Sequence, residues 1–311
     1  MNLEPYIGRV TRTILGCQVE DATLEAWAKT LVSAQEPIFL SNELRKKLPE
    51  SVNVISRDEF KQRDNSLEFD DAHLTYSVGN APWVAMFEPA QFRNLEPALQ
   101  LEIMTLQSEL GRGQIYSLEF AQEILGREFS KLEPDVLADH VAIRFDAWWS
   151  LSRTARHNWL EAVVIEDGLQ AVALEAITNP IVQELANSFA TSSGPNCFAT
   201  ALASVTNDLV EARAISFLWL HQEPFLAGLH TRGFQETTRD AQPGDVIVWF
   251  DSSNLAQHAC AVIAPGLVLN KNAQRWGAPR QILKLESVIA NWAEDQLELR
   301  VFSKSGILNP S

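Results

Sequence analysis

The spacing of apolar positions changes character along this chain. In residues 22–34, ATLEAWAKTLVSA, the side chains Leu24, Trp27, Leu31 and Val32 recur near helical spacing, which predicts an amphipathic helix. Pro37 and Pro49 punctuate the next stretch. Residues 72–90 carry short alternating and apolar runs broken by Gly79-Asn80 and Pro82, the pattern of one or two strands. Helical spacing returns over 94–111 and 117–132, with Gly111 and Gly126 where stops or breaks belong. From Pro134 to about Ala190 the pattern is helix-rich, GLQAVALEAI included, and Asn179-Pro180 reads as an N-cap followed by a first-turn proline.

Beyond Ala190 the order of elements changes. The stretch SSGPNCFATALASVT, residues 192–206, predicts a small-residue helix beginning at Cys197. After Pro243-Gly244-Asp245, the run Val246–Phe250 is apolar throughout and of strand length. HACAVIA and LVLNKN flank Pro265-Gly266 as a hairpin, and QILKLESV, residues 281–288, supplies another strand. Helices and antiparallel strands are segregated, which gives an α+β class. The division falls near 180: a mixed, helix-rich region over 1–180, then a domain over 181–311 in which a helix carrying Cys packs on a sheet carrying His.

Composition narrows the function. A chain of 311 residues, 46% hydrophobic and 9% aromatic, is able to bury a globular core. With 40 acidic against 25 basic residues its net charge is -15, which repels nucleic acid and anionic lipid. Cysteines at 17, 197 and 260 form no CxxC pair and are odd in number, which argues against a disulfide framework or a cysteine zinc site. No secretory leader or long apolar run is evident, so the expectation is a cytoplasmic protein. Trp148, Trp149 and Trp159 read as core, and His140 and His157 lack a carboxylate at metal-ligand spacing. No metal or organic cofactor is therefore expected.

Thiol catalysis needs a nucleophile, a base to take its proton and a group to fix that base. A helix N-terminus biases Cys197 towards its thiolate. Of the downstream histidines His230 and His258, the second is the better base, because it opens a strand beside the loop DSSNLAQ. Cys260 lacks a helix start and reads as wall or core. The third member depends on hairpin register. A two-residue turn pairs 264 with 267 and turns Asn270 away from His258. A three-residue loop pairs 260 with 270 and brings both Asn270 and Asn272 to the face of His258. Gly266 favours the second arrangement and Pro265 opposes it, so periodicity leaves the choice open.

The stretch QPGDVIVWFDSSNLAQHACAVIAPGLVLNK resembles the NlpC/P60 family of papain-like cysteine hydrolases. That family has Gly-Asp before an apolar strand, a histidine about a dozen residues later, and a polar residue twelve beyond the histidine. Gly244-Asp245, Val246–Phe250, His258 and Asn270 occupy those places in order, with Cys197 at the preceding helix start. The match covers about 190–290. The resemblance implies a Cys197-His258-Asn270 triad acting on a small peptide or isopeptide, such as a cell-wall-derived fragment. The usual Asp-Cys-Ser-Gly is here Asn196-Cys197-Phe198-Ala199, and no tyrosine stands shortly upstream. The backbone N–H of Cys197 is one expected oxyanion donor, and Asn196 and Ser193 are candidates for a second. Trp276 is a candidate wall of the cleft. Two other activities use the same residues or none of them: acyl transfer or deamidation through the same thioester, and a silent domain whose N-terminal region binds a protein partner.

Overall fold

A computed structural model describes residues 11–62, 78–79, 81–166, 168–173, 177–293 and 297–304. The chain divides into two compact units, one spanning Leu24–Ala162 and the other taking in the chain before and after it. Sequence pattern alone puts a division near 180; by contacts, residues from Val163 onward group with the C-terminal part. All sheets are antiparallel and alternate with helices, a mixed α+β architecture. No helix among the described residues is long and apolar enough to cross a membrane.

The Leu24–Ala162 unit holds two small sheets. Trp83–Phe87 is the central strand of one, between Glu36–Leu40 and Val54–Ser56. Helix Pro97–Glu109 lays Leu99, Ile103 and Met104 on Ile38, Leu40, Ala85 and Phe87. The second sheet pairs His140–Ala142 with Ile115–Ser117 and Val136–Leu137. Those last strands interrupt a stretch that the sequence pattern assigns to helix, because pairing partners satisfy segments too short to show a period. Gly126 breaks the helix Leu118–Leu125 at φ 50°, a backbone conformation glycine adopts without steric cost. Trp148 and Trp159 are core residues and Trp149 is exposed. Of the strand expected over 72–90, residues 72–77 and 80 lie outside the described set.

In the other unit a six-stranded sheet runs in the order Gln281–Lys284, Leu267–Asn270, Ala256–Ala264, Val246–Phe250, Glu298–Lys304, Phe234–Thr237. Val246–Phe250 is buried at every position, because both faces of the sheet are covered. One face packs Val246, Val248 and Ala259 under Phe198, Ala201 and Leu202 of the Cys197 helix. The opposite face collects Ile247, Trp249, Cys260, Val262 and Val288. The strand expected over 281–288 ends at Lys284 and becomes the helix Leu285–Asn291. Leu285, Val288 and Trp292, at helical spacing, belong to the same cluster. Residues 168–173 are not helical as their composition suggests. Val172 N–H instead bonds Ile282 C=O at 2.8 Å, and Ala171 N–H bonds Leu15 C=O at 3.0 Å.

Asp245 holds the entrance to the central strands. Its buried carboxylate accepts both Arg239 Nη atoms, at 2.7 and 2.8 Å, and the Gln242 N–H at 2.7 Å. Replacing it removes a bidentate pair and strands its donors. Asp245→Ala is expected to lower stability in urea by about 3 kcal/mol. The exposed neighbour substitution Asp240→Ala should change it by no more than roughly 0.5 kcal/mol.

Candidate active site

The helix Cys197–Ser204 starts where it does because Asn196 caps it. Asn196 has extended backbone (φ −123°, ψ −175°) and its Oδ1 accepts the Ala199 N–H at 3.1 Å. All eight residues of the helix are buried. Small side chains permit that, and the helix's two hydroxyls are satisfied internally: Thr200 Oγ1 donates to Asn196 C=O at 3.0 Å and Ser204 Oγ to Thr200 C=O at 2.6 Å. Cys197 thus stands at the first helical position against the sheet.

Backbone alternation explains where the thiol meets the sheet. Val262 directs both its N–H and its C=O towards Asp245 and Gly244, at 2.8 Å each. Residues an odd number away along the strand, Ala259 among them, direct theirs to the other edge. Pairing on that edge reaches only Ala261 with Leu269. Past that point the Ala259 N–H has no strand partner, and it lies close enough to the Cys197 sulfur to favour its anion, as do the N–H groups of Phe198 and Cys197 itself. These dipoles favour negative charge on sulfur. Burial opposes them and prevails: the thiol is pushed up to about 11. The helix start therefore does not leave a resting thiolate, as its position in sequence suggests, because Cys197 is only 7% exposed.

His258, next along the same strand, pairs with Trp249 on the face opposite the one the Cys197 helix covers. It makes no hydrogen bond to Cys197 among the described residues and is fully buried at 0% exposure. Its ring stacks on Trp292 with centroids 4.3 Å apart and lies 5.2 Å from Trp249. Burial pushes the imidazole down to about 4, partly offset by its hydrogen bond to Asn270. That bond joins Nε2 to Asn270 Oδ1 at 2.7 Å. The Asn270 amide nitrogen is used on Asn272 Oδ1 at 2.6 Å, so its oxygen faces the ring and Nε2 is the protonated nitrogen. The other nitrogen, Nδ1, is buried and makes no hydrogen bond among the described residues.

The register that brings Asn270 to this ring combines the two hairpin arrangements open to the sequence. Ala264 does pair with Leu267 across the two-residue turn, with Gly266 at φ 71°. Ile263 is then extra, and the pairs below it are Val262 with Val268 and Ala261 with Leu269. One bulged residue reverses side-chain parity and returns Asn270 to the face of His258. Asn272 serves Asn270 and has no bond to the imidazole.

The remaining sequence candidates form a collar. Ser193 Oγ accepts the Trp276 N–H at 3.0 Å, and Gly194 N–H bonds Gln274 C=O at 2.9 Å. Trp276 is buried. Asn196 Nδ2 donates to Leu220 C=O at 2.7 Å, so one of its two N–H groups is committed away from any oxyanion. Lys271, which sequence reasoning passed over, is fully buried and donates Nζ to the carbonyls of Arg275, at 3.0 Å, and Ala278. It gathers the loop that bears Trp276, and its charge favours a Cys197 thiolate. A lysine between two asparagines was the one hint available. Beside this collar a pocket of about 210 Å³ is lined by Asn272, Ala273, Arg275, Gly277 and Pro279 among others. No cluster suited to a metal occurs among the described residues. Comparison with protein families, curated proteins and solved structures finds no match for this chain.

Burial of neutral His258 couples to stability. Its folded value, about 4, lies below the 6.5 of an ordinary histidine, so the unfolded chain takes up the proton first as pH falls. The contribution is complete above pH 6.5 and is lost progressively down to pH 4. Wild type should lose about 3 kcal/mol over that window through this residue alone. His258→Gln should show a pH dependence of urea stability shallower by that amount.

Proposed function

We propose that the C-terminal unit is a papain-like thiol hydrolase of the NlpC/P60 type, acting on an amide or isopeptide bond through Cys197, His258 and Asn270. The observation that carries this is the bare Nδ1. A buried nitrogen without a partner costs about 1–3 kcal/mol and asks for a reason. Here Asn270 fixes the ring so that the basic nitrogen is the unbonded one, and the N–H of the next residue, Ala259, favours negative charge on the Cys197 sulfur. No hydrogen bond joins Cys197 to His258 among the described residues, so the proposed reaction needs the thiol and Nδ1 to close on each other.

In the proposed reaction Cys197 is neutral until substrate arrives. Nδ1 takes the thiol proton as sulfur attacks the carbonyl carbon, so an S–C bond forms and the C=O electrons move to oxygen. The N–H of Cys197, which faces the sulfur at rest, serves the oxyanion once the sulfur charge has passed to it. As the tetrahedral species collapses the C–N bond breaks, and Nδ1–H gives its proton to the leaving amine. Water then attacks the thioester, passes a proton to Nδ1, and releases the acid as the thiol is restored. A small peptide, including a cell-wall-derived one, is the substrate class this reading favours. The enclosure of His258, at 0% exposure, favours a second reading in which an amine replaces water as acceptor.

Reaction with p-nitrophenyl acetate tests both. The expected result is a burst of one nitrophenolate per chain with the acetyl group on Cys197, absent in Cys197→Ala. In His258→Ala the burst should slow by about 100-fold or more. The acid limb of the burst rate should fall near pH 4, where the buried imidazole becomes protonated. Slow turnover restored by glycinamide would favour the amine acceptor. An unacetylated Cys197, or a burst indifferent to His258, would defeat the proposal.

A further inference from the structure

Between the two candidate catalytic elements runs a segment whose side chains contradict its backbone. Phe217, Leu218 and Trp219 are consecutive and 66%, 47% and 37% exposed. The backbone around them is held by polar anchors. Buried Arg280 donates Nη2 to Ser216 C=O at 2.8 Å. Asn196 grips Leu220 from both atoms of its amide, donating to C=O at 2.7 Å and accepting N–H at 3.4 Å. Gln222 Oε1 accepts the N–H of Ala256.

Two of these anchors adjoin the candidate catalytic residues along the chain. Asn196 immediately precedes Cys197, and Ala256 stands two residues before His258 on the same strand. Leu255, beside that contact, is 49% exposed. A loop with no role needs neither rigid anchoring nor adjacent Phe217 and Leu218 side chains this exposed, and exposed apolar clusters mark binding surfaces. A fixed backbone also lets such side chains bind without first losing freedom.

We infer that Phe217, Leu218 and Trp219, with Leu255, form the substrate-docking rim of the Cys197 site, and that the occupant is a polypeptide segment bearing large apolar side chains. This rests on the proposed thiol chemistry for its purpose. Continuity with the site through Asn196 and Gln222 favours a substrate over a second copy of the chain or a lipid surface. It also narrows the substrate from amides in general to apolar peptides.

Selection of random heptapeptides displayed on phage against the Cys197→Ala protein tests the rim apart from the reactivity of the thiol. Enrichment of Phe, Leu or Trp is expected, with binding of the selected peptides weakened at least about 10-fold by Phe217→Ser together with Leu218→Ser. Both side chains are exposed, so the double variant should fold, and circular dichroism checks that it does. No apolar enrichment, or enrichment indifferent to the double variant, would overturn the inference. So would self-association abolished by the double variant, which would make a second copy the occupant, or Phe217-dependent binding to phosphatidylcholine vesicles. Failure of the acetyl burst alongside successful peptide selection would defeat the catalytic reading and leave the rim as a peptide-binding surface.

Discussion

The hydrogen bond from His258 Nε2 to Asn270 Oδ1 is the constraint on which the arrangement depends. Many features act to make it. Asp245 and Arg239 set the start of strand Val246–Phe250, and that strand pairs Trp249 with His258. The bulge at Ile263 returns Asn270 to the right face, and Asn272 turns its carboxamide so that oxygen meets the ring. Trp292 fixes the plane of the imidazole. With five elements agreeing, the ring has one orientation and one tautomer.

That orientation is maintained in a dry environment, with consequences for charge. Burial holds His258 neutral and Cys197 protonated, so the resting pair is uncharged. Three backbone N–H groups and the ammonium of Lys271 nevertheless lie where a sulfur anion would be stabilised. Under the proposed chemistry these groups would meet charge that forms during reaction and is absent before it, which is the condition under which fixed dipoles accelerate a step. Proton transfer and attack are coupled under the proposed chemistry, because neither partner is ionised beforehand.

Much of this was legible in the residues. Val246–Phe250 reads as a strand because it is apolar and bounded by turn chemistry, and the structure has it over those residues. The start at Cys197 is equally plain, since Asn196 is a strong cap. What escaped depends on contacts distant in sequence. No periodicity rule locates a bulge at Ile263, which is decided by how two strands pair across a turn. Burial of the thiol depends on the sheet beneath it, so a helix-dipole argument taken alone gave the wrong direction for its protonation. Lys271 carried only a faint signal for the same reason: its carbonyl partners come from a loop that closes only in three dimensions. The helix Leu285–Asn291 had a signal, Leu285, Val288 and Trp292 at helical spacing, hidden by the alternating residues before it.

Nitrogen-15 NMR of the histidine-labelled protein, with His258 assigned among the six histidines by substitution, tests the central claim most directly. At pH 7 the account predicts a neutral ring with the proton on Nε2 and a bare Nδ1, persisting on acidification until about pH 4. An imidazolium at pH 7, or a proton residing on Nδ1, would contradict it, because Asn270 would then not be holding a neutral ring with a basic Nδ1.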